Sequence, residues 1–207
     1  SDLQAKIIKV FGTDVPAEED TDIIASEQGL TEFHSQASIR LAEGFTVDLD
    51  QELKKREDLR SVPFFTIDGE DARDFDDAIH VETSGDGYVL WVAIADVSHF
   101  VTPGSPIDRE AFERATSVYF PDRAFHMLPR ALSENLCSLR PNEPRLVLVS
   151  KIHFDRKGNR KRTDVLEGII QSKRRATYNE IYQEHLANRD NPNDPMKPHF
   201  ELFRKLR

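Results

Sequence analysis

The sequence between residues 61 and 97, SVPFFTIDGEDARDFDDAIHVETSGDGYVLWVAIADV, determines the expected fold. Its apolar runs predict three strands, at residues 62–67, 78–82 and 88–97. The Ser-Gly-Asp-Gly turn at residues 84–87 joins the last two strands as a hairpin. Because residues 88–97 are almost continuously apolar, we expect this strand to be central in its sheet and buried on both faces.

Further elements are predicted on both sides of this segment from capping residues, turn residues and apolar runs. In chain order they are a strand at 6–11, an acidic loop at 14–22, a weak helical pattern at 23–42, a helix capped by Asp48 at 49–56, a helix capped by Ser105 up to residue 115, an extended piece at 118–120, a hairpin of strands at 146–154 and 162–172, and a helix opened by the capping box of Thr177 and Glu180 up to residue 187. Together they predict the α+β class, with a mixed, largely antiparallel sheet and flanking helices.

The composition is that of an acidic protein without an evident membrane segment. The 207 residues include 28 Lys and Arg against 37 Asp and Glu, a formal net charge of −9. No run approaches the 18 apolar residues of a transmembrane helix, and the first residues do not resemble a signal peptide. The single cysteine, Cys137, excludes a disulfide framework, and we expect it to be a small core residue. A reducing, cytoplasmic location is the expectation.

The charge is distributed unevenly along the chain. Residues 1–50 hold eleven acidic and three basic residues, whereas residues 151–175 hold nine basic and three acidic residues, a local net charge of +6. This basic stretch has two interpretations that the sequence leaves open. It lines a path for nucleic acid, or it forms the solvated outer face of a hairpin.

Six carboxylates are crowded between the first two strands of the opening segment. They belong to Asp68, Glu70, Asp71, Asp74, Asp76 and Asp77. Two carboxylates about 4 Å apart repel each other by about 4 kcal/mol at an effective dielectric constant near 20. The segment is therefore a solvated turn, or some carboxyl groups are protonated, or a cation compensates the charge. Magnesium is a natural compensating ion, and two ions about 3.5–4 Å apart would suit in-line phosphodiester cleavage.

Convergence of these carboxylates sets a geometric condition. Residues 68–77 must form a curled loop, because neighbouring residues of a regular strand face opposite sides. Gly69 would permit a tight bend in such a loop. A calcium loop of the EF-hand type is disfavoured, because its sixth position requires glycine and, counted from Asp68, that position is Arg73.

Several other polar and aromatic residues are expected to have structural roles. Trp91 is a predicted core residue. Asp96, at the end of the third strand, either holds a turn or orients the acidic cluster from outside. The seven histidines show no spacing typical of metal ligands, so surface or core positions are expected for them.

Four blocks in a fixed order carry a family resemblance. They are TIDGEDARDFDDAI at 66–79, LWVAIADVSHFV at 90–101, TSVYFP at 116–121 and MLPRALSENLCSL at 127–139. Over much of residues 55–180 the chain resembles the RNB catalytic domain of the ribonuclease II/ribonuclease R family, with the ribonuclease R branch the nearer of the two. The resemblance implies a processive 3′→5′ hydrolytic exoribonuclease that releases nucleoside 5′-monophosphates with Mg²⁺, or with Mn²⁺.

The resemblance also implies roles for individual residues. Four aspartates match the metal-binding active-site residues of the family: Asp68, Asp74, Asp76 and Asp77. Asp76 is the one tied most directly to cleavage. Tyr119 matches an aromatic residue that stacks on the 3′-terminal base, and stacking tolerates every base. From the residues alone, a packing role is favoured for Tyr119, and the same role is expected for Phe120.

The same resemblance predicts the domain organisation and the partners. Residues 1–45 resemble the tail of a second cold-shock-like domain with its linker, and residues 46–207 the N-terminal part of an RNB domain. The second half of that domain, with an arginine that would stabilise transition-state charge, is not in this chain. We therefore expect a monomer that acts on the 3′ end of single-stranded RNA, with no DNA or membrane partner, and little processive activity from this chain alone.

Two other functional classes remain open at this point. The chain could be a non-catalytic RNA-binding or scaffold domain with the RNB fold. It could also be a calcium-binding structural module, which the spacing of the acidic loop disfavours. Comparison of Mg²⁺, Mn²⁺ and Ca²⁺ as stabilising ions would separate these classes.

Overall fold

A computed structural model describes residues 17–183 and Leu202. The helices are α1 (Ala17–Glu27), α2 (Gln36–Glu43), α3 (Leu49–Glu52), α4 (Pro106–Arg114) and α5 (Tyr178–Ile181), with a 3-10 turn at Val97–His99 and a π-helical turn at Leu132–Leu136. The strands are β1 (Glu57–Asp58), β2 (Phe65–Asp68), β3 (Asp77–Ser84), β4 (Gly87–Ala95), β5 (Val118–Tyr119), β6 (Ala124–Phe125), β7 (Pro144–Asp155), β8 (Arg160–Gln171) and β9 (Arg174–Thr177). These elements confirm the predicted α+β class.

Seven strands form one sheet in the order β1-β8-β7-β4-β3-β2-β9, and β5 and β6 form a separate hairpin. The β1–β8 and β2–β9 pairs are parallel, and the other neighbouring pairs are antiparallel. The prediction of a mixed, largely antiparallel sheet is therefore confirmed. Both hairpins predicted from the sequence, β3–β4 and β7–β8, are present; β3, β7 and β8 are longer than predicted, whereas β4 is one residue shorter.

The β3–β4 hairpin has a two-residue turn, because Ser84 pairs directly with Gly87. Gly85 takes a positive φ of 53°, a backbone conformation that favours glycine. At Gly87 the neighbouring strand comes very close, and a Cβ atom there would lie 1.9 Å from the carbonyl oxygen of Phe154. The backbone thus favours glycine at position 85 and requires it at position 87.

The larger hydrophobic cluster lies on one face of the sheet. Its members on β4 are Val89, Trp91, Ala93 and Ala95. Ala42 of α2, Ile107 of α4 and Cys137 belong to the same buried cluster, as was predicted for Trp91 and Cys137. The prediction that β4 is buried on both faces is wrong, because Ile94 on the opposite face is 45% exposed. Alternate residues of a strand face opposite sides, and these helices cover only one of them.

A buried ion pair lies at the end of β4. Arg56 Nη2 donates to Asp96 Oδ2 over 2.7 Å, and Arg56 Nε donates to Glu52 Oε2 over 2.8 Å. Asp96 also accepts hydrogen bonds from the hydroxyl of Ser98 and the backbone amide of His99. Burial alone would raise the pKa of Asp96, but the hydrogen bonds from Ser98 and Arg56 outweigh it and lower the pKa. Asp96 therefore holds a turn, one of the two roles predicted for it.

The predicted helix starts are confirmed by their capping hydrogen bonds. Asp48 accepts from the second and third residues of α3, and Ser105 accepts from the backbone amide of Asp108. Thr177 and Glu180 form both hydrogen bonds of the predicted capping box. The ends are less well predicted, since α3 stops at Glu52 rather than at residue 56. Residues 184–187 of the last predicted helix lie outside the described part of the chain.

The N-terminal region differs from its prediction. The acidic loop predicted at 14–22 is wrong for residues 17–22, which belong to α1. Residues 17–27 contain no glycine or proline, and acidic residues are favourable in the first turn of a helix. The strand predicted at 6–11 lies outside the described residues, and those at 17–45 do not show the cold-shock-like tail. Within residues 17–183, no helix has the length and apolar character needed to cross a membrane.

Candidate active site

The segment at residues 68–77, called the acidic loop from here on, joins β2 to β3. It is curled, as convergence of its carboxylates requires. The hydroxyl of Ser138 accepts from the backbone amide of Phe75 over 3.1 Å and donates to the carbonyl of Arg73 over 2.7 Å. The carbonyl of Asp76 accepts from the amide of Ala95 over 2.9 Å. The shape of the loop is therefore fixed by residues far away in the sequence.

Strand β9 adds a second support for the acidic loop. It runs parallel to β2 and places Arg175 opposite Thr66. Arg175 Nη2 donates to the carbonyl oxygens of Gly69 and Glu70, each over 2.5 Å. Gly69 has no positive φ, and a Cβ atom there would meet no atom within 4 Å. The bend expected at Gly69 therefore does not depend on glycine.

The four predicted site aspartates lie on this loop with different environments. Asp68 and Asp74 are half-buried, whereas Asp76 and Asp77 are exposed to solvent. Oxygen Oδ2 of Asp68 is buried and, within the described residues, has no hydrogen-bond partner. Two further acidic residues, Glu70 and Asp71, are exposed, and Glu70 accepts a hydrogen bond of 2.6 Å from Asn179.

The charges of these aspartates act on one another. The pKa of Asp76 is raised to about 6. Partial burial is the largest cause, and the charges of Asp74, Asp77 and Asp68 also contribute. The side chain of Asp76 is exposed to solvent, but protein atoms displace much of the water around its carboxylate, and this partial desolvation raises the pKa. The pKa of Asp68 is also raised, first by burial and then by the charges of Asp77 and Asp74. The loop thus holds negative charge that nearby basic groups do not fully compensate.

The chemistry of this donor set fits a hard divalent ion. All four side chains offer carboxylate oxygens, and one of these oxygens is buried without a hydrogen bond. Within the described residues, however, no three His, Cys, Asp or Glu side chains form a group that could already hold a metal ion. The structure brings the four aspartates into one electrostatic field but not into a preformed coordination shell.

Tyr119 of β5 lies beside the acidic loop. Its hydroxyl donates a hydrogen bond of 2.5 Å to Asp74 Oδ2, while the residue as a whole is 64% exposed. Burial around the hydroxyl and the hydrogen bond to Asp74 raise the pKa of Tyr119 to about 12. The packing alternative fits Phe120 instead, which is half-buried with its ring centroid 5.1 Å from that of Phe125.

Asp74 lines two of the open cavities that adjoin the acidic loop. One, of about 590 Å³, has a polar wall that includes Tyr119, Arg123 and Arg130. The other, of about 510 Å³, has a largely apolar wall to which Asp76 and Phe112 contribute. An extended ligand could therefore reach the carboxylates from either side.

Sequence reasoning missed His126 and Glu134 at this site. His126 is buried, with Nδ1 4.0 Å from Asp74 Oδ2 and Nε2 3.1 Å from Glu134 Oε1. The search for histidines used spacing along the chain, but His126 and Asp74 are 52 residues apart. Only the position of His126 beside the quoted block at 127–139 could have drawn attention to it.

The basic stretch at 151–175 lies mostly away from the acidic loop. Its most basic part surrounds the turn between β7 and β8, where Asp155 pairs with Gly87 at the start of β4. The acidic loop meets the other end of β4, where Asp77 pairs with Ile94. Seven residues of strand separate the two ends, a distance of about 24 Å. This placement favours the outer-face interpretation, except for Arg175, which supports the acidic loop.

Comparison with known proteins identifies the family. A family model described as the RNB domain matches residues 56–207. Ribonuclease R of Aquifex aeolicus (strain VF5) is 43% identical over 182 residues, which cover 87% of this chain and 26% of that protein. The chain therefore belongs to the RNB family, and it spans about a quarter of the length of this relative.

Solved structures agree with this assignment. The structure of Mycoplasma genitalium RNase R in complex with ribose-methylated single-stranded RNA matches with a TM-score of 0.82 and 32% identity, over 90% of this chain and 29% of that one. The structure of yeast Ssd1, a pseudonuclease, matches with a TM-score of 0.73 over 92% of this chain and 24% of that one. At 19% identity this second match shows a shared fold alone.

Proposed function

We propose that the protein containing this chain is a Mg²⁺-dependent 3′→5′ exoribonuclease. It hydrolyses single-stranded RNA processively and releases nucleoside 5′-monophosphates. The observation that carries the proposal is the exposed ring of Tyr119 beside Asp74, in a loop of incompletely compensated carboxylates. Membership of the RNB family and similarity to ribonuclease R proteins support it.

Four residues of the acidic loop would hold the metal: Asp68, Asp74, Asp76 and Asp77. When bound, Mg²⁺, or Mn²⁺ in its place, would supply Lewis-acid chemistry that activates water and stabilises charge on the phosphodiester. The protein contributes a loop whose shape is fixed by Ser138 and Arg175. Such support lowers the cost of reorganising the carboxylates when the ion and the RNA bind.

Tyr119 would bind the terminal base. Stacking of a base on an aromatic ring contributes about 1–3 kcal/mol and does not depend on which base is present. That property suits an enzyme that must accept each nucleotide in turn. The complex of M. genitalium RNase R with single-stranded RNA supports the choice of substrate.

The remaining expectations are part of the same proposal. The protein is a cytoplasmic monomer that takes neither DNA nor a membrane as a partner. Residues 46–207 are the N-terminal part of its RNB domain, and residues 1–45 are the tail of a cold-shock-like domain with a linker. We expect the 207-residue chain alone to show little processive activity, because it spans about a quarter of the length of the A. aeolicus ribonuclease R.

The proposal is tested with Asp76→Asn in the protein that contains this chain. We expect stepwise shortening of 5′-labelled single-stranded RNA with Mg²⁺ to fall by at least about 100-fold, since even outer partners of a metal site contribute 10–100-fold. Binding of the RNA should survive. Asp86→Asn, which removes an exposed carboxylate at the β3–β4 turn, is the matched control. Equal rates in Asp76→Asn and the parent would contradict the proposal.

A non-catalytic RNA-binding or scaffold domain is the second candidate function. The match to the pseudonuclease Ssd1 favours keeping it, because it shows that this fold alone does not decide activity. All four aspartates are present in this chain, which favours the nuclease. RNA binding by the unmodified protein without any shortening in Mg²⁺ or Mn²⁺ would support the scaffold instead.

A further inference from the structure

The carboxylate of Asp74 has polar neighbours on two sides. Oxygen Oδ2 accepts the hydroxyl hydrogen of Tyr119 over 2.5 Å. The same oxygen lies 4.0 Å from His126 Nδ1. The other ring nitrogen of His126, Nε2, lies 3.1 Å from Glu134 Oε1. Asp74 thus stands between an exposed tyrosine and a buried histidine that is itself held by a carboxylate.

The orientation of His126 calls for an explanation. The residue is only 6% exposed, and its Nδ1 atom is buried without a hydrogen-bond partner among the residues described. A buried polar atom that lacks a partner costs about as much as a lost hydrogen bond, so such atoms are rare without a reason. Asp74 Oδ2 lies 4.0 Å from this Nδ1 atom, a distance that a small movement of the carboxylate would bring within hydrogen-bond range.

We propose that Tyr119 and His126 are positioning residues for Asp74. The hydroxyl of Tyr119 orients the carboxylate from the solvent side, and the imidazole of His126, held by Glu134, orients it from the protein side. This inference rests on the proposed function, in which Asp74 binds a divalent ion. It gives Tyr119 two separate parts, a ring that is free to stack on a base and a hydroxyl that serves the metal-binding carboxylate.

Physical reasoning supports this division. Carboxylates that bind metals are themselves held by hydrogen bonds, and loss of such an outer partner typically weakens metal affinity 10–100-fold. A carboxylate that is already oriented loses less freedom when the ion binds. Stacking needs only the face of the ring, so removal of the hydroxyl should leave it largely intact.

The role of Tyr119 is tested by Mn²⁺ binding to the protein that contains this chain, measured as the loss of the EPR signal of free Mn²⁺. We expect Tyr119→Phe to weaken Mn²⁺ binding about 10-fold. Tyr178→Phe is the matched control, because Tyr178 is 65% exposed against 64% for Tyr119 and lies on α5. This variant should bind Mn²⁺ as the unmodified protein does. Equal affinity in the two variants would overturn the inference.

Two replacements of His126 test the roles of its two ring nitrogen atoms separately. Asparagine can place a polar atom near the position of Nδ1, which faces Asp74, whereas glutamine can place one near Nε2, which faces Glu134. We expect His126→Asn to bind Mn²⁺ within about 3-fold of the parent and His126→Gln to bind it about 10-fold more weakly. A merely structural histidine predicts no such order, and the reverse order would overturn its assigned role. Should either variant fail to fold, the Tyr119 comparison still decides.

RNA binding gives a readout that metal binding alone does not. In the protein that contains this chain, Tyr119→Phe should keep its affinity for single-stranded RNA within about 2-fold, and Tyr119→Ala should lose at least about 5-fold. If the unmodified protein binds no Mn²⁺, the proposed function fails, and the inference fails with it. If the parent binds Mn²⁺ but Tyr119→Phe loses nothing, only the inference fails.

Discussion

Two charged turns at opposite ends of the sheet differ in how their charges are paired. In the hairpin tip, the segment at residues 155–160 between β7 and β8, Asp155 Oδ2 lies 2.9 Å from Lys161 Nζ, and Asp155 accepts hydrogen bonds from Lys157 and Asn159. These contacts lower the pKa of Asp155, Lys161 contributing most. In the acidic loop the pKa of Asp76 moves the other way, to about 6.

The difference separates charge that serves the fold from charge that is available to a ligand. A carboxylate whose oxygens already accept hydrogen bonds from nearby donors stabilises its own turn and has little capacity left to bind a ligand. A carboxylate that is partly buried and lies beside other carboxylates destabilises the folded chain until a cation binds. The pKa direction, rather than the number of charges, therefore distinguishes the two turns.

The largest effect is expected where a compensated charge is buried, at Arg56. Arg56→Met leaves Asp96 buried without its cation, which should cost about 3–5 kcal/mol in the free energy of unfolding measured with urea. Arg60→Met is the control, since Arg60 pairs with Asp58 at the surface and should change stability little. Equal losses in the two variants would show that burial of the pair is not what matters.

Divalent ions should give the next largest effect. At ten times its dissociation constant, Mg²⁺ or Mn²⁺ should stabilise the chain by about 1.4 kcal/mol, or a rise in melting temperature of about 3–5 °C. Asp74→Asn should lose most of this rise, whereas Asp155→Asn should keep it. Stabilisation by Ca²⁺ alone would favour the calcium-binding structural module instead.

The two turns should respond oppositely to pH when divalent ions are removed by chelation. The pKa of Asp76 is raised in the folded state, so the parent loses stability as pH rises from about 4 to about 6. Asp76→Asn should remove this loss and gain about 1 kcal/mol at pH 7, after allowance for solvent screening. The pKa of Asp155 is lowered, so Asp155→Asn should destabilise the chain at pH 7, with a difference that disappears in acid. Stability changes of the same sign in Asp76→Asn and Asp155→Asn at pH 7 would contradict the proposed difference between the two turns.

The smallest effect is expected from basic residues at the start of β8, beside the hairpin tip. Reversal of the charges of Arg160, Lys161 and Arg162 should change RNA affinity by less than about 2-fold and leave its salt dependence unaltered. The reason is that Lys161 and Arg162 already pair with acidic residues, and the tip lies about 24 Å along β4 from the acidic loop. A weaker salt dependence of RNA binding in the variant would support the interpretation that the basic stretch lines the path of the RNA.

Much of the fold follows from local signals in the sequence. The glycine turn, the capping residues and the apolar runs predict both hairpins and the starts of three helices. The burial of β4 could not be predicted in this way, since its apolar run does not say which faces the helices cover. The start of α1 was missed because clustered acidic residues suit both a loop and the first turn of a helix.

The candidate site is only partly readable from the sequence. The acidic loop stands out because its carboxylates are crowded into ten residues. The contact between Tyr119 and Asp74 spans 45 residues, and that between His126 and Asp74 spans 52, so neither leaves a spacing signal. The metal-binding roles of the aspartates and the stacking role of Tyr119 stay predictions until the experiments above are done.

The two hydrogen bonds of Ser138 have a consequence for protein engineering. One hydroxyl ties together two backbone positions of the acidic loop, and it belongs to a segment more than 60 residues further along the chain. A designer who grafts residues 68–77 onto another scaffold would transfer the carboxylates without the clasp that bends them. The grafted loop would need a hydroxyl at the position of Ser138 before its carboxylate oxygens could converge on a ligand.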